Sequence, residues 1–211
     1  MREEVLQRPQ LLKASIMVGF LYAFHTAKKR GRNGLETLVS MLSRSQIVHV
    51  EMMPVTGISS SGKLCVSCAY TAFMQRRFGC YSPQLLDEEG TLLLYVPAVD
   101  ASPTAANFLH DLLGVPYNYV GLPRTLFPTQ FRREADPLHV PHEVFCSEAG
   151  FQLAYLCGAV RLPHSFECSP AELYSLLRTS PVVKCVTRSD VLRCSASQCI
   201  CDSNGRVSVH L

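Results

Sequence analysis

The cysteine at position 146 has the local sequence of a reactive thiol. It lies in the stretch 144–148 (VFCSE), directly before apolar residues at helical spacing, so the sequence predicts a helix over residues 145–157. The partial positive charge at a helix N-terminus stabilises a thiolate, and the backbone N–H groups there can receive an oxyanion. We therefore expect a lowered pKa and a nucleophilic role for Cys146. The alternative is a buried core cysteine at a helix start.

A nucleophilic thiol needs a general base, and His49 is the best-placed candidate. It lies in a predicted strand over residues 46–54, and Glu51 follows on the same face of that strand. Their Cα atoms would be roughly 6.5–7 Å apart, so the carboxylate can reach one imidazole nitrogen while the other points at a thiol. His139 and His142 are nearer in sequence, but their proline-flanked loop makes them weaker candidates. The alternative is a core histidine, or an exposed His49 beside a solvent-facing Glu51.

A second group of cysteines lies near the end of the sequence: Cys185, Cys194, Cys199 and Cys201. Their spacing, C-x8-C-x4-C-x-C, lacks the paired C-x2-C knuckles of a typical zinc site. A zinc ion and a disulfide both stay open, but we expect reduced thiols and no metal or organic cofactor. Cys65 and Cys68 form a C-x-x-C motif on a predicted strand rather than at a helix N-terminus, which favours a core position over redox chemistry.

The composition is that of a globular chain in a reducing environment. The 211 residues are 47% hydrophobic and 18% charged, which excludes disorder, a coiled coil and collagen. The ten cysteines fall below the roughly 8–10% that marks a disulfide scaffold, so we expect an intracellular, cytoplasmic protein (host cell or virion if it is viral). A net charge of +3 is too mild to indicate a nucleic-acid partner. The apolar run over residues 14–24 is shorter than the about 20 residues of a membrane span, so we expect a buried strand and no transmembrane segment.

The remaining pattern predicts one α+β domain. Ser169 followed by Pro170 is a helix-start signal for a further helix. The other expected elements are strands at 15–24, within 63–73, at 92–99 and at 182–186, and helices at 35–43 and 103–113. The expected domain boundaries are a lead-in over 1–14, the domain over 15–186 and a Cys/Ser-rich tail over 187–211.

Three short motifs follow one another in an order that resembles a known superfamily. They are His49-Val50-Glu51 on an early strand, then GVPYNY at 114–119, then FCSE at 145–148. In this order they look like the circularly permuted branch of the papain-like, NlpC-type cysteine hydrolases. That branch includes YiiX-like and lecithin:retinol-acyltransferase-like proteins and many phage and large-DNA-virus proteins. The resemblance spans about residues 15–160 and implies a small, antiparallel, barrel-like sheet packed against a helix that begins at the nucleophile.

The resemblance also implies a role for each matching residue. Cys146 would be the nucleophile, His49 the general base and later the acid, and Glu51 the residue that orients the imidazole. Tyr117 and Ser147 would line the site and support the oxyanion or the substrate. In many relatives the third polar residue comes from the neighbouring strand, whereas the stretch 63–73 offers only cysteines and a serine in the matching place.

These features predict a thiol hydrolase (amidase, peptidase or acyl hydrolase) or an acyltransferase that cleaves an amide or ester bond through a thioester. Peptides, lipid esters and other acyl-bearing molecules all remain open as substrates. The alternatives are a structural or interaction protein that keeps the fold without turnover, and a small metal-binding adaptor built on the cysteine-rich tail.

Overall fold

A computed structural model describes the chain in a series of stretches. They cover residues 18–27, 40–41, 45–66, 68–71, 77–81, 90–98, 102–118, 142–161, 168–194, 199–201 and 207–209. The expected lead-in over 1–14 and the basic run at 28–32 lie outside these stretches. Nearly all of the expected helix over 35–43 does so too.

The described elements fall into three groups along the chain: six strands, then three helices, then four short strands. The strands are β1 (Gly19–Thr26), β2 (Ile47–Ile58), β3 (Leu64–Val66), β4 (Ala69–Thr71), β5 (Gly79–Tyr81), β6 (Thr91–Pro97), β7 (Lys184–Val186), β8 (Val191–Arg193), β9 (Cys199–Cys201) and β10 (Val207–Val209). The helices are α1 (Ser102–Asp111), α2 (Cys146–Leu156) and α3 (Pro170–Thr179), with a short 3-10 turn at Arg188–Asp190. This mixture confirms the α+β class.

The main sheet is built around β1, whose residues are apolar on both faces. β1 pairs antiparallel with β2 on one side and with β6 on the other. The strand order β5-β4-β2-β1-β6-β7 forms a curled half-barrel, and β3 adds to β2 beside this path. Buried side chains on both faces explain the unbroken apolar sequence of β1, because a strand with one wet face would alternate with polar residues. The strands predicted around residues 15–24, 46–54 and 92–99 are confirmed.

Two hydrophobic clusters lie on the two faces of this sheet, because side chains alternate along a strand. The three helices pack on the first face. Its sheet residues include Phe20, Tyr22, Phe24, Val50 and Met52. The opposite face has its own cluster. Its members include Leu21, Ala23, Met53, Val55 and Tyr95.

Helix α2 lies very close to the sheet at Gly150. A Cβ added there would meet the side chains of Leu173, Tyr22 and Met52 at 2.9–3.5 Å, so a larger residue at this position would displace at least the Leu173 side chain. The Tyr22 hydroxyl donates a 2.9 Å hydrogen bond to the Gly150 carbonyl across the contact. This contact sets the height of α2, and of Cys146 at its start, above β1 and β2.

Helix α3 begins where the sequence predicts. The Ser169 hydroxyl accepts the Glu172 N–H at 3.2 Å, and the Glu172 carboxylate accepts the Ser169 N–H at 2.7 Å, which together form a capping box. Pro170 occupies the first helical turn, as expected.

The structure differs from the predicted elements in two places. The strand expected within 63–73 is two short strands, β3 and β4, which both pair with β2. Residues 191–193, assigned to the tail from their composition, form β8 and pair in parallel with β3. β3 and β8 are more than a hundred residues apart, and pairing between such distant segments leaves no mark on local periodicity, which explains the second difference. None of the helices in the described stretches combines the length and the apolar character needed to cross a bilayer.

Candidate thiol site

Cys146 is the first residue of α2 and is buried, with 1% of its surface exposed. Phe145 before it is extended, with φ −101° and ψ 150°, and its N–H donates to the Glu148 carboxylate at 3.2 Å. Glu148 therefore stabilises the first turn of the helix, where a carboxylate is favourable. The thiol is held at the helix start predicted from the sequence.

Several hydrogen-bond donors converge on the Cys146 thiol. They are the backbone N–H groups of Val50, Ser147 and Cys146 itself, and the hydroxyl of Tyr117. Each favours a negative charge on sulfur. Burial opposes them more strongly and raises the pKa of the Cys146 thiol to about 12. The expected lowering of the pKa is therefore wrong for this conformation, because removal of water outweighs the donors.

Tyr117 reaches the thiol because its segment pairs with the residues that precede α2. Tyr117 and Val144 form a parallel bridge, in which the Val144 N–H donates to the Pro116 carbonyl at 2.9 Å and the Asn118 N–H donates to the Val144 carbonyl at 3.0 Å. The Tyr117 ring also packs on Phe145 at 5.4 Å between centroids. The GVPYNY motif and the FCSE motif thus lie side by side.

Ser147 contributes its backbone rather than its side chain. Its hydroxyl is fully buried and donates to the Cys168 carbonyl, next to the start of α3. Its N–H, in contrast, is one of the donors to the thiol. A serine hydroxyl committed to this bond tethers α2 to α3, so any oxyanion support from Ser147 would come from its backbone.

His49 and Glu51 lie on β2 together with a third titratable residue, His25 of β1. His25 is directly opposite His49 in the strand register, and the two rings stack at 5.8 Å between centroids. The Glu51 carboxylate is 3.9 Å from Nε2 of His49 and 3.7 Å from Nε2 of His25. Burial, with a smaller contribution from His25, lowers the pKa of His49 to about 3. His49 is therefore a neutral imidazole at physiological pH.

The strand β2 and the start of α2 meet at Val50, which lies between His49 and Glu51. The Val50 N–H faces the thiol, so the two motifs nearly a hundred residues apart are neighbours. Alternation directs the side chains of His49 and Glu51 toward the face of Ala23 and Met53, opposite the face on which α2 packs. A direct contact between the imidazole and the thiol stays a prediction.

His25 is the site residue that the sequence analysis missed. The predicted strand ends at Phe24, two residues before the end of β1 at Thr26, and its register with β2 is invisible in the sequence. The strand that places a further polar side chain beside His49 is β1, rather than the stretch 63–73. The available signal was a histidine directly after a doubly buried apolar strand, where a polar side chain needs a partner.

The other candidate residues lie away from the thiol or outside the described stretches. His142 is exposed, and His139 is not among the described residues. Cys65 and Cys68 are buried, which confirms the core prediction. Of the cysteines near the end of the sequence, Cys185 is exposed and Cys194 is buried. Among the described side chains, the cysteines form no disulfide, and no three His, Cys, Asp or Glu residues are grouped to hold a metal ion.

Comparison with protein-family models, with curated proteins and with solved structures gives no match for this chain.

Proposed function

We propose that this protein is a cysteine-nucleophile hydrolase or acyltransferase, with Cys146 as the nucleophile and His49 as the base. The observation that carries the proposal is the convergence of three backbone N–H groups and the Tyr117 hydroxyl on a thiol at a helix start. Donors that converge in this way stabilise negative charge on sulfur, and an adjacent substrate oxygen can use the same N–H groups. One of these donors belongs to the residue that follows His49.

The chemistry divides into two acyl transfers. In the first, His49 takes the proton of the Cys146 thiol as sulfur attacks the carbonyl carbon of an amide or ester. The tetrahedral intermediate then expels the amine or alcohol, which takes the proton back from His49, and a thioester is left. In the second, water or another acceptor, deprotonated by His49, attacks the thioester, and the departing Cys146 sulfur takes that proton back from His49 as the acyl product leaves. Glu51 orients the imidazole throughout.

Both reacting groups are neutral in this conformation, because burial raises the pKa of Cys146 and lowers that of His49. The reaction therefore begins from a thiol and an imidazole rather than from an ion pair. With 1% of Cys146 exposed, a carbonyl can reach the sulfur only after the site opens and His49 reorients. We infer that the described conformation is a closed, resting state.

We extend the proposal to the permuted papain-like superfamily. Support comes from the curled sheet, from the helix that begins at Cys146, and from the contact of Tyr117 with the thiol. The order of the three motifs along the chain is that of the resemblance.

A second candidate function is a non-catalytic structural or interaction role. The observations that favour it are the depth of the thiol and the direction of the His49 side chain. A protein that had lost catalysis could bury its cysteine in this way and gain stability from the packing.

Acyl-enzyme trapping distinguishes the two functions. Purified protein is incubated with short- and long-chain p-nitrophenyl esters and with peptide amides, quenched in acid, and digested for mass spectrometry. A catalytic protein gains an acyl group on the peptide that contains Cys146, and Cys146→Ala and His49→Gln both abolish this adduct.

Cys157→Ala is the matched control, because Cys157 also has a pKa raised to about 12 by burial but lies at the other end of α2. This variant should acylate Cys146 normally. Acylation that spreads over exposed thiols such as Cys185, and that survives Cys146→Ala, would favour the non-catalytic role.

A further inference from the structure

We propose that His25 is a positioning residue that acts through Glu51, by holding the carboxylate in the orientation that selects the tautomer of His49. The consequence for catalysis rests on the proposed function. The arrangement itself rests on the geometry of β1, β2 and β6 alone.

One carboxylate serves two rings. Oε2 of Glu51 lies 3.7 Å from Nε2 of His25, and Oε1 lies 3.9 Å from Nε2 of His49. The rings stack at 26° to each other, because the two histidines are direct partners in the antiparallel register. A carboxylate that faces one nitrogen of each ring is held from both sides.

Burial requires that these contacts act as hydrogen bonds. Only 1% of Glu51 is exposed, and a buried carboxylate oxygen without a donor is costly. Within the described part of the chain, Oε2 of Glu51 and Nε2 of His25 have no other hydrogen-bond partner, and they face each other. A proton on Nε2 of His25 satisfies both atoms at once, after the 3.7 Å separation closes by about 0.7–0.8 Å to the usual hydrogen-bond length.

Strand β6 contacts His25 on the side away from β2. Thr91 is the register partner of His25 on that side, and its hydroxyl lies 3.5 Å from Nδ1 of the ring. With the ring proton on Nε2, where the buried Glu51 carboxylate needs a donor, Nδ1 is the acceptor and the Thr91 hydroxyl donates to it. The hydrogen bonds therefore all point the same way: the Thr91 hydroxyl donates to His25, and the Nε2–H of His25 donates to the Glu51 carboxylate.

The second oxygen of the Glu51 carboxylate acts on His49 in the same way. With Oε2 occupied by His25, Oε1 is directed at Nε2 of His49 and selects the tautomer with the proton there. Nδ1 of His49 is then the basic nitrogen, and under the proposed function it accepts the thiol proton once the ring has reoriented. Without a donor at residue 25, the carboxylate can rotate away from Nε2 of His49, and His49 loses its preference for one tautomer.

Histidine tautomers measured by NMR test this arrangement directly. Long-range 1H–15N spectra of histidine-labelled protein at neutral pH report which ring nitrogen carries the proton. We expect the Nε2–H form for both His25 and His49 in the native protein. His25→Phe keeps the bulk but has no donor, and it should lower the Nε2–H population of His49 by about twofold. His25→Gln, whose amide can donate, should restore the native population.

Two further variants keep the test decisive. Thr91→Val has nearly the same shape and lacks the hydroxyl, so it should shift His25 toward the Nδ1–H form even if His25→Phe fails to fold. His110→Gln breaks an exposed histidine–aspartate pair at 3.4 Å and should leave His49 unchanged. An Nδ1–H form of His49 in the native protein, or an unchanged His49 tautomer in folded His25→Phe, would overturn the proposal. So would an unchanged His25 tautomer in Thr91→Val.

The tautomer measurements can be distinguished from a failure of the proposed function. Cys146→Ala removes any thiol chemistry but should keep the native tautomers. If acylation of Cys146 is never found while the tautomers follow this pattern, the positioning network stands and only the catalytic role of Cys146 fails.

Discussion

At the scale of single residues, hydrogen-bond donors and burial have opposite effects on the pKa of the Cys146 thiol. The donors around Cys146 are those that a nucleophilic thiolate needs, yet removal of water holds the sulfur in its neutral form. The helix N-terminus is one contribution among several and does not decide the protonation state.

Alkylation rates test the resting state of Cys146. In the native protein at neutral pH, iodoacetamide should modify Cys146 far more slowly than the exposed Cys185, because the thiol is both buried and protonated. Peptide mapping by mass spectrometry at short times measures both rates in one sample. In denaturant the two cysteines should react alike, which controls for intrinsic reactivity. Preferential native labelling of Cys146 would contradict the closed state.

Tyr117→Phe tests the side-chain donor. Loss of the hydroxyl removes an interaction that lowers the pKa of the thiol, so that pKa should rise further and acylation of Cys146 should slow by about tenfold or more. The comparison is with Tyr174→Phe. Tyr174 lies on α3 and packs against Phe24 of β1, so it has a similar aromatic environment. Equal acylation rates in the two variants would remove Tyr117 from the site.

At the scale of elements, local hydrogen bonds at the helix starts position α2 and α3, and packing on the sheet then stabilises them. The capping box at Ser169 starts α3, whose Leu173 packs against Gly150 of α2. The hydroxyl of Ser147 joins the starts of the two helices. The position of the thiol therefore depends on a helix that contributes no residue to the site.

Ser169→Ala should lower the free energy of unfolding by about 1 kcal/mol, the usual cost of a lost N-cap. Urea denaturation measures the change. Ser175→Ala on the same helix is the matched control, because that exposed hydroxyl only bonds back to the Ala171 carbonyl and its loss should be nearly neutral. Similar effects of the two substitutions would show that the cap is not what anchors α3.

At the scale of the whole molecule, the buried histidine couples stability to pH. The pKa of His49 is about 3 in the folded state against 6.5 in the unfolded chain, so between these values the unfolded state binds more protons. Stability is thus full above about pH 6.5 and falls as the pH drops toward 3, by up to about 4–5 kcal/mol for this single residue.

Thermal unfolding over this pH range should therefore show a falling midpoint on acidification, and His49→Gln should flatten the curve. His25 and Glu51 face His49 in the same cluster, so His110→Gln, which changes an exposed histidine, is the better control for a general effect of histidine removal. A curve for His49→Gln that matches the native curve would show that His49 is not held neutral by burial.

Much of the local structure was predictable. The helix start at Cys146, the cap at Ser169 and the doubly buried strand β1 follow from spacing, side-chain chemistry and apolar runs, all of which act over a few residues. The proximity of Glu51 to His49 follows from the period of a strand. These predictions succeed because the causes are local.

The tertiary structure decided what depends on partners distant in sequence. It brought His25 opposite His49, placed Tyr117 and the Val50 amide against the thiol, and removed the water that would have made Cys146 acidic. It also turned the His49 side chain to the other face of the sheet from α2. Register and burial are properties of the assembled sheet, so a sequence can specify which groups could react but leaves their protonation and orientation to the fold.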